Sequence, residues 1–169
     1  MRMFRRVWAL VLLGGAAWAE TEVDAYGLGY HDPNPQVWLK IDPELSVRAR
    51  ILHDKTGVLA DEVTEPEVLR LEVAFTAVDG ARDREVRFTC RVRFVDPGAE
   101  WSDAVADKPC YAGRLADGAG VFQLLDLDLR FRPQRSDPSG TAGVMVSVTE
   151  EVSGERKALV PTYRWKGGR

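Results

Sequence analysis

Apolar and polar residues alternate over several stretches of the chain, and the clearest of these runs from 84 to 95. Every second residue from 86 to 94 is apolar, while arginine fills most of the positions between, at Arg87, Arg91 and Arg93. A period of two that is rich in β-branched and aromatic residues is typical of a strand with one buried face. The pattern predicts that Cys90 points into a core and that the arginines point outward.

Similar alternation recurs along the rest of the chain, separated by turns that contain proline and glycine. Near the end, Pro161 interrupts the pattern and predicts an edge strand or a bulge there, because proline donates no hydrogen bond to a ladder. Residues 23–31 form a weaker candidate, since two glycines loosen it. The other predicted strands are 37–41, 45–52, 69–77, 125–131, 142–148 and 158–165.

Two connections between these strands carry a prediction of their own. The dipeptide Asp79-Gly80 is typical of a tight turn, so the strands at 69–77 and 84–95 are predicted to form a hairpin. The polar residues from 96 to 109 are interpreted as an acidic loop, and Cys110 and Tyr111 after it begin another extended piece.

The strand pattern sets the fold class. About eight strands are expected, with turns every ten to fifteen residues and no convincing helical period. Because each strand has one apolar side to bury, two antiparallel sheets packed face to face satisfy the pattern. An immunoglobulin-like β-sandwich is the first choice, and a jelly roll or small barrel is the alternative.

The N-terminal segment predicts export. Residues 1–19 combine three arginines, an apolar run at 7–17 and the small residues Ala17 and Ala19 around Trp18. This is the pattern of a signal peptide, here cleaved after Ala19, and the apolar run is short for a membrane span. The expected mature protein is therefore a single domain, 20–169, in the bacterial periplasm or at the cell surface. An uncleaved anchor is the alternative.

Net charge limits the expected partners. The chain carries a formal charge of −3, and loss of the arginines in the signal peptide would make the mature protein more acidic. Nucleic acids and anionic membranes bind preferentially to basic surfaces, so neither is expected as the main partner. An envelope protein or an acidic glycan remains as the expected partner, and no membrane anchor is expected in the mature chain.

The chain contains two cysteines, Cys90 and Cys110. Exported proteins meet an oxidising environment, which favours a disulfide between them. The Cys-x-x-Cys spacing of a redox site is lacking, so the expected role is structural, tying a strand to its following loop or to a neighbouring strand.

Candidate residues for metal binding or catalysis are few. The two histidines, His31 and His53, do not supply a zinc site by local spacing, and the acids from 96 to 107 lack the spacing of a calcium loop. No Gly-x-Ser-x-Gly motif is present. Asp126 and Asp128 project from one face of a predicted strand at a separation that some carboxylate-pair enzymes use. Two acids on a solvent-exposed strand face have the same pattern without any catalytic role. The sequence therefore assigns no cofactor, metal or catalytic residue.

The arginine stripe of Arg87, Arg91 and Arg93 allows two interpretations. If its strand neighbours the one with Asp126 and Asp128, the charges pair across the sheet. If not, the stripe is an exposed basic surface suited to a carboxylate, an acidic sugar or an acidic partner.

Two aromatic residues flank the cysteine loop, and both are candidates for the same binding surface as the arginine stripe. Trp101 and Tyr111 either add a stacking platform beside the arginines or fold back onto the sandwich. The binding surface predicted from sequence thus contains Arg87, Arg91, Arg93, Trp101 and Tyr111.

Two functions from different classes follow. The first is a non-enzymatic binding or assembly module that uses loops or an exposed edge strand. The alternative is a small hydrolase or lyase acting on an envelope polymer. Its site would form only in three dimensions, for instance from Asp126, Asp128 and His53.

Overall fold

The computed structural model describes residues 38–77, 84–96, 101–115 and 122–167, apart from the side chains of Trp101 and Asp103. This part of the chain consists of strands, turns and irregular segments, with no helix. The predicted signal peptide, the candidate strand at 23–31 and His31 lie outside the described residues.

Eleven strands occur in the described residues, several of them short. In chain order they are β1 (Leu39–Lys40), β2 (Leu45–His53), β3 (Glu62–Val63), β4 (Leu69–Ala77), β5 (Glu85–Val95), β6 (Trp101–Arg114), β7 (Phe122–Leu124), β8 (Leu129–Phe131), β9 (Gly140–Glu150), β10 (Arg156–Leu159) and β11 (Thr162–Trp165).

The strands form two sheets. The first sheet has the order β1-β2-β4-β7, and β8 pairs with β4 on the same side as β7. The second sheet has the order β3-β11-β9-β5-β6, with β10 beside β9. All described pairs are antiparallel except β3 with β11. The all-β, two-sheet architecture expected from the alternation is confirmed.

One apolar core lies between the two sheets. Phe75 of β4 and Phe88 of β5 meet there edge to face, with ring centroids 5.0 Å apart. Both side chains are fully buried, as is Trp165 of β11. Residues of both sheets belong to this single cluster, which is the arrangement of a β-sandwich.

Several predicted strands are found where the alternation placed them. β2, β4, β5 and β9 cover the predicted ranges within a few residues. Of the two alternatives predicted at Pro161, an edge strand is found just before it, because β10 pairs only with β9 among the described strands. There is no bulge between the described strands β10 and β11, since β11 continues the pairing with β9 in the same register after Val160 and Pro161. At this point the carbonyl of Pro161 accepts from the backbone N–H of Val144 at 3.1 Å.

The predicted hairpin between the strands at 69–77 and 84–95 is wrong. β4 pairs with β2 over nine residues in the first sheet, whereas β5 lies between β6 and β9 in the second. Both strands have one apolar face turned to the same core, but from opposite sides. Alternation alone does not distinguish strands that pair side by side from strands that oppose each other across a core.

The predicted acidic loop at 96–109 is also wrong, because β6 begins at Trp101 and runs to Arg114. It pairs with β5 through three register shifts, at Phe88/Thr89, Cys90/Val92 and Val92/Arg93. Each shift changes which residues face the core, so the strand loses the period of two by which it would be recognised.

The predicted strand at 125–131 is interrupted. Only β8 remains in a strand ladder; Leu125 still donates to the carbonyl of Val73 at 2.9 Å, and residues 126–128 then leave β4. Leu125 and Leu127 turn into the core, and the backbone N–H of Asp126 donates to the carbonyl of Cys110 at 2.7 Å. This bond connects the edge of the first sheet to β6, the edge strand of the second.

Candidate binding surface

The arginine stripe lies on the outward side of the second sheet. Its strand, β5, neighbours β6 and β9, whereas Asp126 and Asp128 lie in the segment that connects β7 to β8 of the first sheet. The stripe therefore does not pair with those acids across a ladder. Within the second sheet, Arg87 lies 3.7 Å from Glu85 and Arg91 lies 4.0 Å from Asp107, both measured between nitrogen and oxygen. The backbone register places Arg93 between Asp103 and Met145.

Tyr111 folds back onto the sandwich. Its ring lies 4.7 Å from that of Phe75 and 6.4 Å from that of Phe88. The hydroxyl donates to the carbonyl of Arg114 and accepts from the side-chain amide of Gln123, at 3.2 and 2.7 Å. Trp101 begins β6, but its side chain is outside the described atoms, so a stacking platform there stays a prediction.

The two cysteines form the expected disulfide. Cys90 of β5 and Cys110 of β6 are both buried, with Cα atoms 5.7 Å apart. The bond joins two neighbouring strands of one sheet, which agrees with the structural role expected from the sequence.

Two of the three residues of the hydrolase hypothesis, His53 and Asp128, are engaged in ion pairs with other residues. Nδ1 of His53 lies 3.1 Å from a carboxylate oxygen of Glu67. Asp128 pairs with Arg130 at 2.9 Å, and Arg130 also donates to Asp54 at 3.1 Å. Over the described ranges, no group of three histidine, cysteine or acidic side chains is placed to hold a metal ion.

Charged groups also meet at one end of the sandwich. Arg84 lies 2.8 Å from each of three carboxylates, those of Asp42, Glu44 and Glu150. Asp42 and Glu44 follow β1 in the first sheet, while Arg84 and Glu150 belong to the second. The cluster therefore links the two sheets. Its charged side chains pair with one another, so its role is structural.

The side chain of Glu150 is completely buried within this cluster. Burial acts to raise its pKa, but hydrogen bonds from Ser153 and Val152 and the charge of Arg84 outweigh it and hold the pKa below its usual range. The carboxylate is thus fixed in its ionised form at neutral pH.

Large apolar side chains are exposed on the outer face of the first sheet. Phe122 and Leu124 of β7 are 49% and 52% exposed. The register places Arg48 of β2, Ala74 of β4 and Leu124 in one row across this face. Half-exposed apolar residues next to each other on an outward sheet face mark a candidate interaction surface.

Arg48 is the charged residue of this surface. Its guanidinium carbon lies 4.4 Å from the ring centroid of Trp38 and 5.8 Å from that of Phe122. Such distances are those of cation–π contacts. We refer to Trp38, Arg48, Phe122 and Leu124 together as the aromatic–arginine patch.

Unlike most arginines on a protein surface, Arg48 is only 9% exposed and lacks an acidic partner among the residues that the structure describes. Its Nε–H is buried and donates no hydrogen bond to that part of the chain. Burial, with the nearby charge of Arg50, lowers its pKa, and Glu72 opposes this shift.

Arg50 provides a direct contrast on the same strand face. It lies two residues further along β2, and its Nε donates to Glu72 of β4 at 2.6 Å. One of two neighbouring outward arginines is therefore satisfied within the sheet, while the other is held by aromatic rings.

A shallow hollow adjoins the patch at Leu124. It has a volume of about 210 Å³ and is lined by residues 70–73 and 124–128 together with Arg130. The hollow exists because the chain leaves β4 between β7 and β8. Pockets for drug-sized molecules span roughly 300–1,000 Å³, so this one fits a side chain better than a whole cofactor.

Sequence reasoning did not select the aromatic–arginine patch. The alternation at 45–52 places Arg48 on the outward face, but it does the same for Arg50. Phe122 and Leu124 were not assigned to a strand, because β7 has only three residues. The sequence feature that could have indicated the patch is the pair of Phe122 and Leu124, two large apolar residues at positions i and i+2 beside a predicted turn.

Comparisons with known proteins do not assign a family. No family model matches the chain, and no curated protein matches it in sequence. Among solved structures, the chain is similar to the Pseudomonas fluorescens alkylpurine DNA glycosylase AlkC bound to DNA. That similarity has 16% identity and a TM-score of 0.33, and it covers 70% of this chain and 30% of the glycosylase chain. At this level it supports no argument about fold or function.

The described part of the chain has no helix with the length and apolarity that a bilayer crossing requires.

Proposed function

We propose that the protein is an exported, non-enzymatic binding or assembly module of the bacterial periplasm or cell surface, and that the aromatic–arginine patch is its recognition surface. The observation that carries this proposal is the exposure of Phe122 and Leu124 beside Arg48, which has no acidic partner among the described residues. Aromatic residues and arginine are enriched at the energetic centres of protein interfaces.

Export is supported by two independent features. The first nineteen residues have the composition of a signal peptide, and the Cys90–Cys110 disulfide fits an oxidising compartment. An immunoglobulin-like topology is the finer part of the proposal. Its support is the pair of sheets around one core, although the disulfide joins strands of one sheet rather than bridging the two.

A binding role is favoured over the hydrolase alternative by the surroundings of the candidate catalytic groups. His53 lies against Glu67, and Asp128 lies against Arg130. These are surface ion pairs, and neither pair presents a nucleophile beside a base.

Site-specific photo-crosslinking in the native cell envelope tests the proposal. A photoreactive residue at Leu124 is expected to capture a reproducible component, identified by mass spectrometry. The matched control is Val152, which is equally apolar and 67% exposed but lies in the turn after β9. Equal capture from both positions, or none from Leu124, contradicts the proposal.

A second variant separates binding from catalysis. Combining Asp126→Ala, Asp128→Ala and His53→Ala is expected to leave capture at Leu124 unchanged. Turnover of an envelope polymer by the purified protein, abolished in this variant while the fold is retained, would replace the binding proposal by the hydrolase alternative.

A further inference from the structure

We infer that Arg48 anchors a carboxylate of a protein partner, within a short segment that carries apolar side chains beside that carboxylate. This inference rests on the proposed function and specifies the chemistry of the partner. It starts from the difference between Arg48 and Arg50, which share one strand face but only one of which has an acid to bind.

The electrostatic part of the argument concerns the state of Arg48. A guanidinium removed from water loses hydration, and aromatic rings restore only part of it. Its Nε remains without a hydrogen-bond partner in the described residues. Because Nε itself is buried, a carboxylate from outside would bond to the terminal nitrogens of the guanidinium. Arginine–carboxylate bonds are short, strong and often bidentate.

The apolar part of the argument concerns the surroundings. Leu124 and Phe122 expose about half of their surface, and Leu124 borders the hollow beside β4. A side chain of the partner that covers these residues and enters the hollow would bury apolar surface that is now in water.

The charges around the hollow give the partner a direction. Glu72, Asp126 and Asp128 all line it, together with Arg70 and Arg130. Glu72 is bonded to Arg50 and Asp128 to Arg130, and the lining as a whole has three carboxylates against two arginines, so a further acid entering the hollow is disfavoured. The carboxylate of the partner is therefore directed to Arg48, and a neutral or basic side chain is directed to the hollow.

A peptide fits this surface better than an acidic sugar does. The side chains in contact with Arg48 or in its row are Trp38, Phe122, Ala74 and Leu124, and none of them offers a hydroxyl or amide to a sugar ring. Sugar hydroxyls placed there would face mainly apolar side chains, so most of them would lose water without gaining hydrogen bonds, which is unfavourable.

The test uses a defined probe, the acetylated and amidated pentapeptide Lys-Val-Leu-Val-Glu, titrated into the full mature protein with its disulfide intact. Binding is followed through the arginine Nε–Hε signals in NMR spectra. We expect the signal of Arg48 to shift with saturation, and replacement of the glutamate by glutamine to weaken binding about tenfold.

Variants of the two arginines give the matched comparison. Arg48→Gln is expected to weaken binding about tenfold, whereas Arg50→Gln changes it by less than about twofold. Arg48→Lys, which keeps the charge but loses the planar fork, is expected to lie between. An unchanged backbone amide spectrum confirms that each variant is folded.

Several outcomes would overturn the inference. These are equal binding of the glutamine peptide, equal loss in Arg50→Gln, or binding of glucuronate at Arg48 where the peptide does not bind. Self-association of the protein that Leu124→Asp abolishes would instead identify a second copy as the occupant. If the peptides fail while crosslinking at Leu124 succeeds, this inference is wrong but the proposed function stands.

Discussion

At the scale of the residue, the same amino acid has different roles depending on what other strands bring to it. Arg48 and Arg50 are indistinguishable in the sequence, since both are outward positions of one alternating stretch. Glu72, which satisfies Arg50, comes from β4, and the rings around Arg48 come from residues 38 and 122. The sequence predicts the direction of these side chains, but their partners depend on strand order.

Arg84 gives a prediction at this scale. Replacing it by alanine leaves the buried carboxylates of Asp42 and Glu150 without their cation. Because an unpaired buried charge is costly, we expect Arg84→Ala to lower the free energy of unfolding by roughly 3 kcal/mol. Urea denaturation of the oxidised protein measures this value.

The control for that prediction is Arg87→Ala on the same strand. Arg87 is exposed and lies 3.7 Å from an equally exposed Glu85, so its loss is expected to cost less than about 0.5 kcal/mol. Similar costs for both variants would show that the Arg84 cluster does not stabilise the fold.

At the scale of the element, the alternation predicted strands that keep one register with their neighbours. β2 and β4 pair over nine residues without a shift, and both were predicted closely. The first part of β6 was predicted as a loop because its shifts relative to β5 break the period of two. Residues 126–128 were predicted as part of a strand, but they leave the sheet while Leu127 stays buried. Such irregularities depend on neighbouring strands, so a single strand's pattern does not contain them.

The disulfide gives a prediction at this scale, because it fastens an edge strand. Cys90 and Cys110 are 20 residues apart in sequence, and closing a loop of this size stabilises a protein by about 3 kcal/mol. We expect reduction to lower stability by this order and to reduce hydrogen-exchange protection in β6 more than in β2 and β4.

Two measurements control that prediction. Alkylation of the intact protein should find no free thiol before reduction, as both cysteines are paired. The variant in which both cysteines are alanine should show the same loss of protection without any reductant. Uniform loss of protection in both sheets would mean that the disulfide stabilises the whole fold rather than its edge.

At the scale of the whole molecule, strands that are neighbours in sequence are divided between the sheets. β2 and β4 pair in the first sheet, while β3 between them pairs with β11 near the end of the described chain. The fold class followed from the number of strands and their single apolar faces. The strand order could not be derived in this way, because any strand with one apolar face can pack against the same core.

Acid sensitivity of the whole fold is predicted from Glu150. Its pKa is lowered in the folded state, so its ionisation stabilises the fold fully above the unfolded value of about 4.3. This contribution is lost as the pH falls through the lower, folded pKa. Urea midpoints measured between about pH 7 and pH 3 should therefore fall, and Glu150→Gln should flatten that fall.

The control for acid sensitivity is Asp128→Asn, which removes an exposed carboxylate that is paired with Arg130. It is expected to leave the pH dependence nearly unchanged, because exposed ion pairs contribute little to stability. An equal flattening in both variants would contradict a special role of Glu150.

The form of β6 has a consequence for how copies of this protein behave when crowded together. An edge strand exposes backbone groups that invite another strand to add, which is how fibrils and open polymers grow. Three register shifts bend β6, Pro109 removes a donor from it, and Asp107 and Lys108 place opposite charges on its exposed part. The protein therefore has a built-in resistance to fibril growth along this edge, which leaves the opposite sheet face open to a partner without favouring polymerisation of the chain with itself.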